Sequence, residues 1–244
     1  MNIVFLGATR GMGRALSRLF AARGDRLVVL GHEPEDLAST VADLEARGAA
    51  FVGSAPCDLE RPETFEPAFT ATLAELGRLD TVVVTAGLFA PQERLEEDVE
   101  FTARLLRANF TNTVLFCEEA RKRLLAGGGG TLCVFSSVAG DRGRKPVVIY
   151  GASKAGLSHY LESLDHKYRD QGLKTVCVKP GFVKTGMTEG LKPPPFAGEP
   201  EQVAAIVLQG IDRGTPVVYA PPIWGQIMRV IRSLPRAVMR RVGF

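Results

Sequence analysis

The sequence predicts an α/β fold, a doubly wound parallel sheet of about seven strands flanked by helices, and three observations predict it. Short apolar, β-branched runs alternate with longer segments of helical period, the pattern of right-handed crossovers between parallel strands. A cluster of glycines follows the first such run directly. No linker or internal repeat interrupts residues 1–220, which are read as one domain; residues 221–244 stand apart as a basic amphipathic tail.

The strand candidates are "NIVFL" (2–6), "RLVVL" (26–30), "AAFVG" (49–53), "TVVVT" (81–85), "TLCVFS" (131–136), "KTVCVKP" (174–180) and "PVVYA" (216–220). Strands buried on both faces read as such near-continuous apolar runs. Helical periods lie near 12–23, 34–47, 62–76, 97–125, 150–171 and 200–213. The run Gly127–Gly130 joins a helix end to a strand start and is read as a turn. "GLKPPPFAGEP" (190–200) is a loop stiffened by its prolines.

Composition excludes several classes. Hydrophobic residues at 45% and charged residues at 23% are those of a packed globular domain rather than a disordered chain. The net charge of +3 is small and dispersed, with no basic patch among stacking aromatics, so no nucleic-acid partner is expected. Cys57, Cys117, Cys133 and Cys177 lie far apart with no histidine cluster, which points to reduced core residues and to no metal site. The start lacks a basic n-region and no apolar stretch reaches spanning length, so a cytoplasmic location is expected.

In "LGATRGMGRAL", Gly7, Gly11 and Gly13 come between a strand and a helical period. Missing side chains let a backbone turn tightly against a pyrophosphate, and a helix N-terminus offers free N–H groups to it. The spacing is G-x-x-x-G-x-G, and its position at the first strand predicts a Rossmann-type dinucleotide site that includes Thr9, Arg10 and Met12. An NAD site usually carries a carboxylate near the end of the second strand. Gly31 and His32 stand there, followed by Glu33, while Arg10 is placed to meet a 2′-phosphate with help from His32. NADP is therefore favoured over NAD.

"IYGASKAG" (149–156) sets Tyr150 and Lys154 one helical turn apart on one face. A phenol titrates near pH ~10, and each unit of depression corresponds to about 1.4 kcal/mol in favour of the phenolate. A nearby ammonium favours that charged form, which suits Tyr150 to proton transfer. Ser136, at the end of the fifth strand, lies where an open parallel sheet binds ligands. It is the candidate for orienting a carbonyl oxygen.

With Asp58, Ala86-Gly87, Asn109 and "PGFVKT" (180–185), these residues follow in the order of the short-chain dehydrogenase/reductase family, which residues 1 to about 220 resemble. The resemblance implies Tyr150 as proton donor, Lys154 at the nicotinamide ribose, Ser136 at the substrate oxygen and Asn109 in a relay to Lys154. The cofactor contacts it implies are Gly7, Thr9, Arg10, Gly11, Met12, Gly13, His32, Asp58, Leu59, Ala86, Gly87, Tyr150, Lys154, Pro180, Gly181, Val183 and Thr185. Asp58 would meet adenine, and Val183 and Thr185 the nicotinamide amide. The chain departs from the family pattern at Leu6, where a threonine is usual, and at "VTAG" in place of Asn-Asn-Ala-Gly. A homodimer or homotetramer is implied as well.

"SSVAGDRGR", "KPGFVKTGMT" and the C-terminal "PPIWGQIMRVIRSLPRAVMRR" more narrowly resemble reductases related to decaprenylphosphoryl 2-keto-erythro-pentose reductase, which implies a keto-sugar on a polyprenyl phosphate carrier. A 3-oxoacyl thioester or small ketone is the alternative substrate, and a dinucleotide-binding regulator without turnover the alternative of another class. Asp141, Arg142 and Arg144 form either a solvated turn or contacts to an anionic substrate or another subunit. In the tail, Trp224, Ile227, Ile231, Leu234, Val238 and Val242 share one helical face, opposite Arg229, Arg232, Arg236 and Arg240, and Pro235 divides it. That stripe covers the protein's own body or another subunit, or meets a membrane peripherally at its inner face.

Overall fold

The computed structural model describes residues 1–243. Seven parallel strands form one sheet in the order β3-β2-β1-β4-β5-β6-β7: β1 (Asn2–Leu6), β2 (Arg26–Gly31), β3 (Phe51–Pro56), β4 (Thr81–Val84), β5 (Gly130–Phe135), β6 (Leu173–Pro180) and β7 (Val217–Ala220). The doubly wound α/β sheet is as the alternation of runs predicts. From β1 the chain builds outward through β2 to β3, then returns to lay β4 against the other side of β1, in register Ile3 to Thr81 and Leu6 to Val84. This reversal opens a crevice at the carboxyl ends of β1 and β4, where such sheets bind ligands.

Side chains alternate across the sheet and define two cores. Ile3 and Phe5 enter a core shared with α1 (Gly11–Ala22), α2 (Pro34–Ala46) and α8 (Pro200–Arg213). Val4 and Leu6 enter the opposite core with α3 (Phe65–Leu76), α6 (Thr113–Ala126) and α7 (Val148–Tyr168). All four cysteines are buried and unpaired in these cores. Desolvation pushes the Cys57 thiol up to about 12.

The single helix expected over 97–125 is divided. Two short helices, α4 (Gln92–Glu97) and α5 (Val99–Leu106), meet at Asp98, whose Oδ1 accepts the Phe101 N–H at 2.8 Å and so starts a new helix. A π-helical turn, Arg107–Asn112, then separates α5 from α6. The tail forms α9 (Ile223–Ser233) and α10 (Arg236–Met239), parted by Pro235 as expected. Among the described residues no helix is long and apolar enough to cross a membrane.

Candidate active site

Gly7 adopts φ +96°, and a Cβ there would lie 2.6 Å from both the Ala86 nitrogen and Thr85 Oγ1. Gly13 is equally pressed: its Cβ would collide with the Gly7 carbonyl and with Thr85. Only glycine permits this turn. Thr85 Oγ1 donates to the Gly7 carbonyl at 2.8 Å, so the threonine of "VTAG" on the neighbouring strand ties the turn, while Leu6 is buried in the core. A Cβ on Gly11 would meet Thr185 Cγ2 at 3.3 Å, which places the segment after β6 directly over the glycine turn. Thr185 caps a short helical turn there, and Val183 is buried beside it. This tight backbone turn leads into a start of α1 that no side chain caps, an arrangement that fits a dinucleotide pyrophosphate.

Asp58 sits half-buried after β3 with Oδ1 accepting the Glu60 N–H at 2.9 Å. The Leu59 carbonyl accepts Asn112 Nδ2 at 2.9 Å, fixing this corner to the π-helical turn. Arg10 is exposed and pairs with Asp36 Oδ2 at 2.8 Å, while His32 lies 3.3 Å from Glu33. Thr9, Arg10, Arg14, Asp36, Ser39 and Thr40 surround a cavity of about 150 Å³. Sequence reasoning missed Arg14 and Asp36, because their approach depends on how α1 and α2 pack.

At the other end of the crevice, Tyr150 and Lys154 share one face of α7, with the ammonium 5.8 Å from the phenol ring centroid. Lys154 is buried, and its Nζ donates to the Phe135 carbonyl at 2.9 Å. A Cβ on Gly87 would lie 3.0 Å from Asn109 Oδ1 and 3.7 Å from Lys154 Nζ, so Gly87 keeps open the space between them. Asn109 is fully buried in the π-helical turn, its side chain bonded both ways to Leu88 at 2.7 Å. Such π turns recur at functional sites, and no simple sequence period announces them.

The two serines differ from expectation. Ser136 continues the β5 ladder, its N–H donating to the Val178 carbonyl, and its side chain therefore points under α7. There the hydroxyl donates to the Lys154 carbonyl at 2.9 Å and meets Ser158 Oγ at 2.7 Å. Ser137, half-buried, is the serine whose hydroxyl acts on the Tyr150 phenol, lowering its titration. It also accepts the Ala139 N–H at 3.1 Å, which orients its oxygen. The parity of the strand was the available signal: Val134 faces the α7 side, so Ser136 does too.

The phenol also differs from expectation. Burial pushes Tyr150 up to about 12, opposed by the Ser137 hydroxyl. Burial acts oppositely on Lys154, pulling its ammonium down to about 8. Phe89 packs edge-on against the Tyr150 ring at 5.1 Å.

The loop after Ser137 is structural. The Asp141 side chain is buried and accepts Lys179 Nζ at 2.6 Å and Tyr219 Oη–H at 2.7 Å, joining the loop to β6 and β7. Arg142 donates to the Leu234 carbonyl at 2.9 Å, and Val138 packs with Met228 and Ile231. The tail thus lays part of its apolar stripe on the protein's own body. Trp224 lies on Gly181, where a Cβ would collide with the indole. Arg144 Nε is buried without a hydrogen-bond partner among the described residues.

Residues 1–195 match the family model described as short chain dehydrogenase. An uncharacterised oxidoreductase of Mycobacterium tuberculosis is 32% identical over 240 residues, 98% of this chain and 96% of that one. Carbonyl reductase family member 4 of Danio rerio is 32% identical over 235 residues, 93% of this chain and 94% of its own. A short-chain type dehydrogenase/reductase from Mycobacterium ulcerans superposes with a TM-score of 0.79 at 24% identity, covering 89% of this chain and 86% of that one, which shows the fold.

Together the glycine-cradled turn, the crevice and the Tyr150–Lys154 helix define a dinucleotide-dependent oxidoreductase. The chain belongs to the short-chain dehydrogenase/reductase family, whose enzymes use NAD or NADP.

Proposed function

We propose that this enzyme reduces a ketone to a secondary alcohol with NADPH. The observation that carries the reading is the convergence of Ser137, Tyr150 and Lys154 beside Gly87 at the sheet's switch point. The substrate carbonyl oxygen accepts hydrogen bonds from the Ser137 and Tyr150 hydroxyls. A bound reduced nicotinamide would supply the hydride to the carbonyl carbon. Tyr150 delivers its proton to the oxygen, and a phenol held high by burial keeps that proton available at neutral pH. The phenolate left behind faces the Lys154 ammonium, which the Phe135 carbonyl and the neighbourhood of Asn109 hold in place. Ser137 takes the orienting role expected of Ser136.

NADP is favoured by Arg10 and Arg14 around a cavity that Ser39 and Thr40 also line. The Arg10–Asp36 pair is exposed and worth about 0–1 kcal/mol, so a 2′-phosphate displaces it readily. For the substrate we propose a ketone joined to a phosphate and an apolar chain. Exposed Met187, Leu191 and Phe196 after Thr185 suit the chain, and the unpartnered Arg144 guanidinium suits the phosphate. A keto-sugar on a polyprenyl phosphate and a 3-oxoacyl thioester on a phosphopantetheine arm share this chemistry, and a small ketone lacks it.

The test is consumption of reduced nicotinamide against a panel of these three substrate types, with NADPH and NADH compared for parent, Arg10→Gln and Arg14→Gln. NADPH is expected to be preferred by the parent and the preference to narrow in both variants. No turnover of any ketone, or a preference for NADH, overturns the reading.

A further inference from the structure

Part of the tail's apolar stripe is occupied by the protein's own body, but its outward face carries a different pattern. Arg229, Arg236, Arg240 and Arg241 are exposed, residues 221–244 contain no acidic side chain, and no carboxylate among the described residues forms an ion pair with these four arginines. On the same two helices Ile223, Val230 and Val238 are exposed by 40%, 62% and 41%. A face made only of arginines fits any polyanion; one that adds exposed aliphatics is suited to the boundary between phosphate headgroups and acyl chains.

The loop after Thr185 continues the same surface. Trp224 Nε1 donates to the Phe196 carbonyl at 3.3 Å, which brings Phe196, itself 62% exposed, beside α9. Met187 and Leu191 on that loop are also exposed. Because Trp224 lies on Gly181, and Thr185 on Gly11, this surface adjoins the cofactor and substrate crevice. We infer that the outward face of α9 and α10, together with the 186–199 loop, docks on an anionic lipid bilayer and sets the crevice mouth against it. The inference extends the reductase reading, since an apolar-chained ketone would pass from bilayer to crevice without crossing water.

Co-sedimentation of the full chain with vesicles of phosphatidylcholine alone, or of phosphatidylcholine with phosphatidylglycerol, tests it at low and high salt. Binding is expected only with the anionic lipid, and to weaken as salt rises. Each basic residue near an anionic leaflet strengthens binding roughly fivefold, so the combined variant Arg229→Gln/Arg236→Gln/Arg240→Gln is expected to bind about 100-fold more weakly. Its NADPH-dependent turnover of a soluble ketone is expected to match the parent, which shows that it is folded. Phe196→Ser is expected to weaken binding at low salt as well. Absence of lipid binding, or binding that the triple variant keeps, overturns the docking surface. Capture by nucleic acid or acidic protein in place of vesicles, unaltered by Phe196→Ser, also overturns it, in favour of a soluble polyanion. Lipid binding in a protein that reduces no ketone would sink the reductase reading alone.

Discussion

The hydroxyl of Ser137 lowers the titration of the Tyr150 phenol, whereas that of Ser136, one residue earlier, is enclosed between the Lys154 carbonyl and Ser158. Adjacent serines therefore serve different ends. On the proposed mechanism Ser137→Ala removes a donor to the substrate oxygen and is expected to lower kcat/KM by about 10²–10³ with little change in thermal stability. Ser136→Ala strands buried partners, costing about 1–3 kcal/mol, and is expected to change kcat/KM by less than about tenfold. Steady-state kinetics with thermal melts decide it; the reverse ranking would return the orienting role to Ser136.

Tyr150→Phe keeps the ring and its edge-on contact with Phe89 but removes the proton. A general acid contributes about 10²–10⁴ in rate, so kcat/KM should fall by that much while NADPH affinity, read by fluorescence titration, changes little. Retained turnover would mean that another group donates the proton.

Lys154 makes the pH dependence specific. Its ammonium titrates near 8 in the folded protein because burial strips its water, and near ~10.4 in an unfolded chain. Between those values the unfolded state binds the extra proton, so stability should rise with pH from 8 toward ~10, by an amount on the order of 3 kcal/mol. Activity should run the other way, since the charge that holds the phenolate disappears above 8. The kcat/KM profile of ketone reduction is expected to descend there, and Lys154→Arg to move that limb to higher pH if it retains activity. A profile that stays flat through pH 8–10 would show that the charge on Lys154 does not limit the reaction.

What the sequence made legible follows from which interactions are local. Continuous β-branched runs mark strands buried on both faces, and a four-residue spacing puts Tyr150 and Lys154 on one helix face whatever surrounds them. The glycine turn was legible because only glycine tolerates the contacts at Gly7 and Gly13. The parity of β5 distinguishes Ser136 from Ser137, but what each hydroxyl meets depends on how α7 packs, and Arg10's partner was obscured because Asp36 arrives on a separate helix. The amphipathic tail announced a buried stripe but not its host, since Val138 and Tyr219 meet Met228 and Trp224 only in the folded chain.

Thr85 offers a test of the cofactor turn. Its hydroxyl donates to the Gly7 carbonyl at 2.8 Å and ties the turn to the neighbouring strand. Thr85→Val keeps the shape and removes the bond, at about 1 kcal/mol of stability. NADPH affinity should weaken several-fold with kcat nearly unchanged at saturation, measured by titration and kinetics. Unchanged affinity would show that the glycine backbone holds the turn alone.

Asp141 is the final case, because its carboxylate binds the loop carrying Ser137 to both β6 and β7. Its side chain is 2% exposed and that of Lys179 12%, so the ion pair lies in a region of low dielectric. Burial, with the hydrogen bond to Asp141 adding to it, pushes the Tyr219 phenol up to about 12, which keeps it a donor to the carboxylate. Asp141→Ala leaves the Lys179 ammonium buried and unpaired, at an expected cost of about 3–5 kcal/mol. Removing both charges in Asp141→Ala/Lys179→Met should recover much of that stability, because the stranded ammonium is gone. Catalysis should recover less, since the loop has lost its tie to Tyr219 as well. Denaturant melts and kcat/KM on the two variants separate the effects: equal recovery of stability and kcat/KM in the double variant would show that Asp141 acts only by neutralising Lys179.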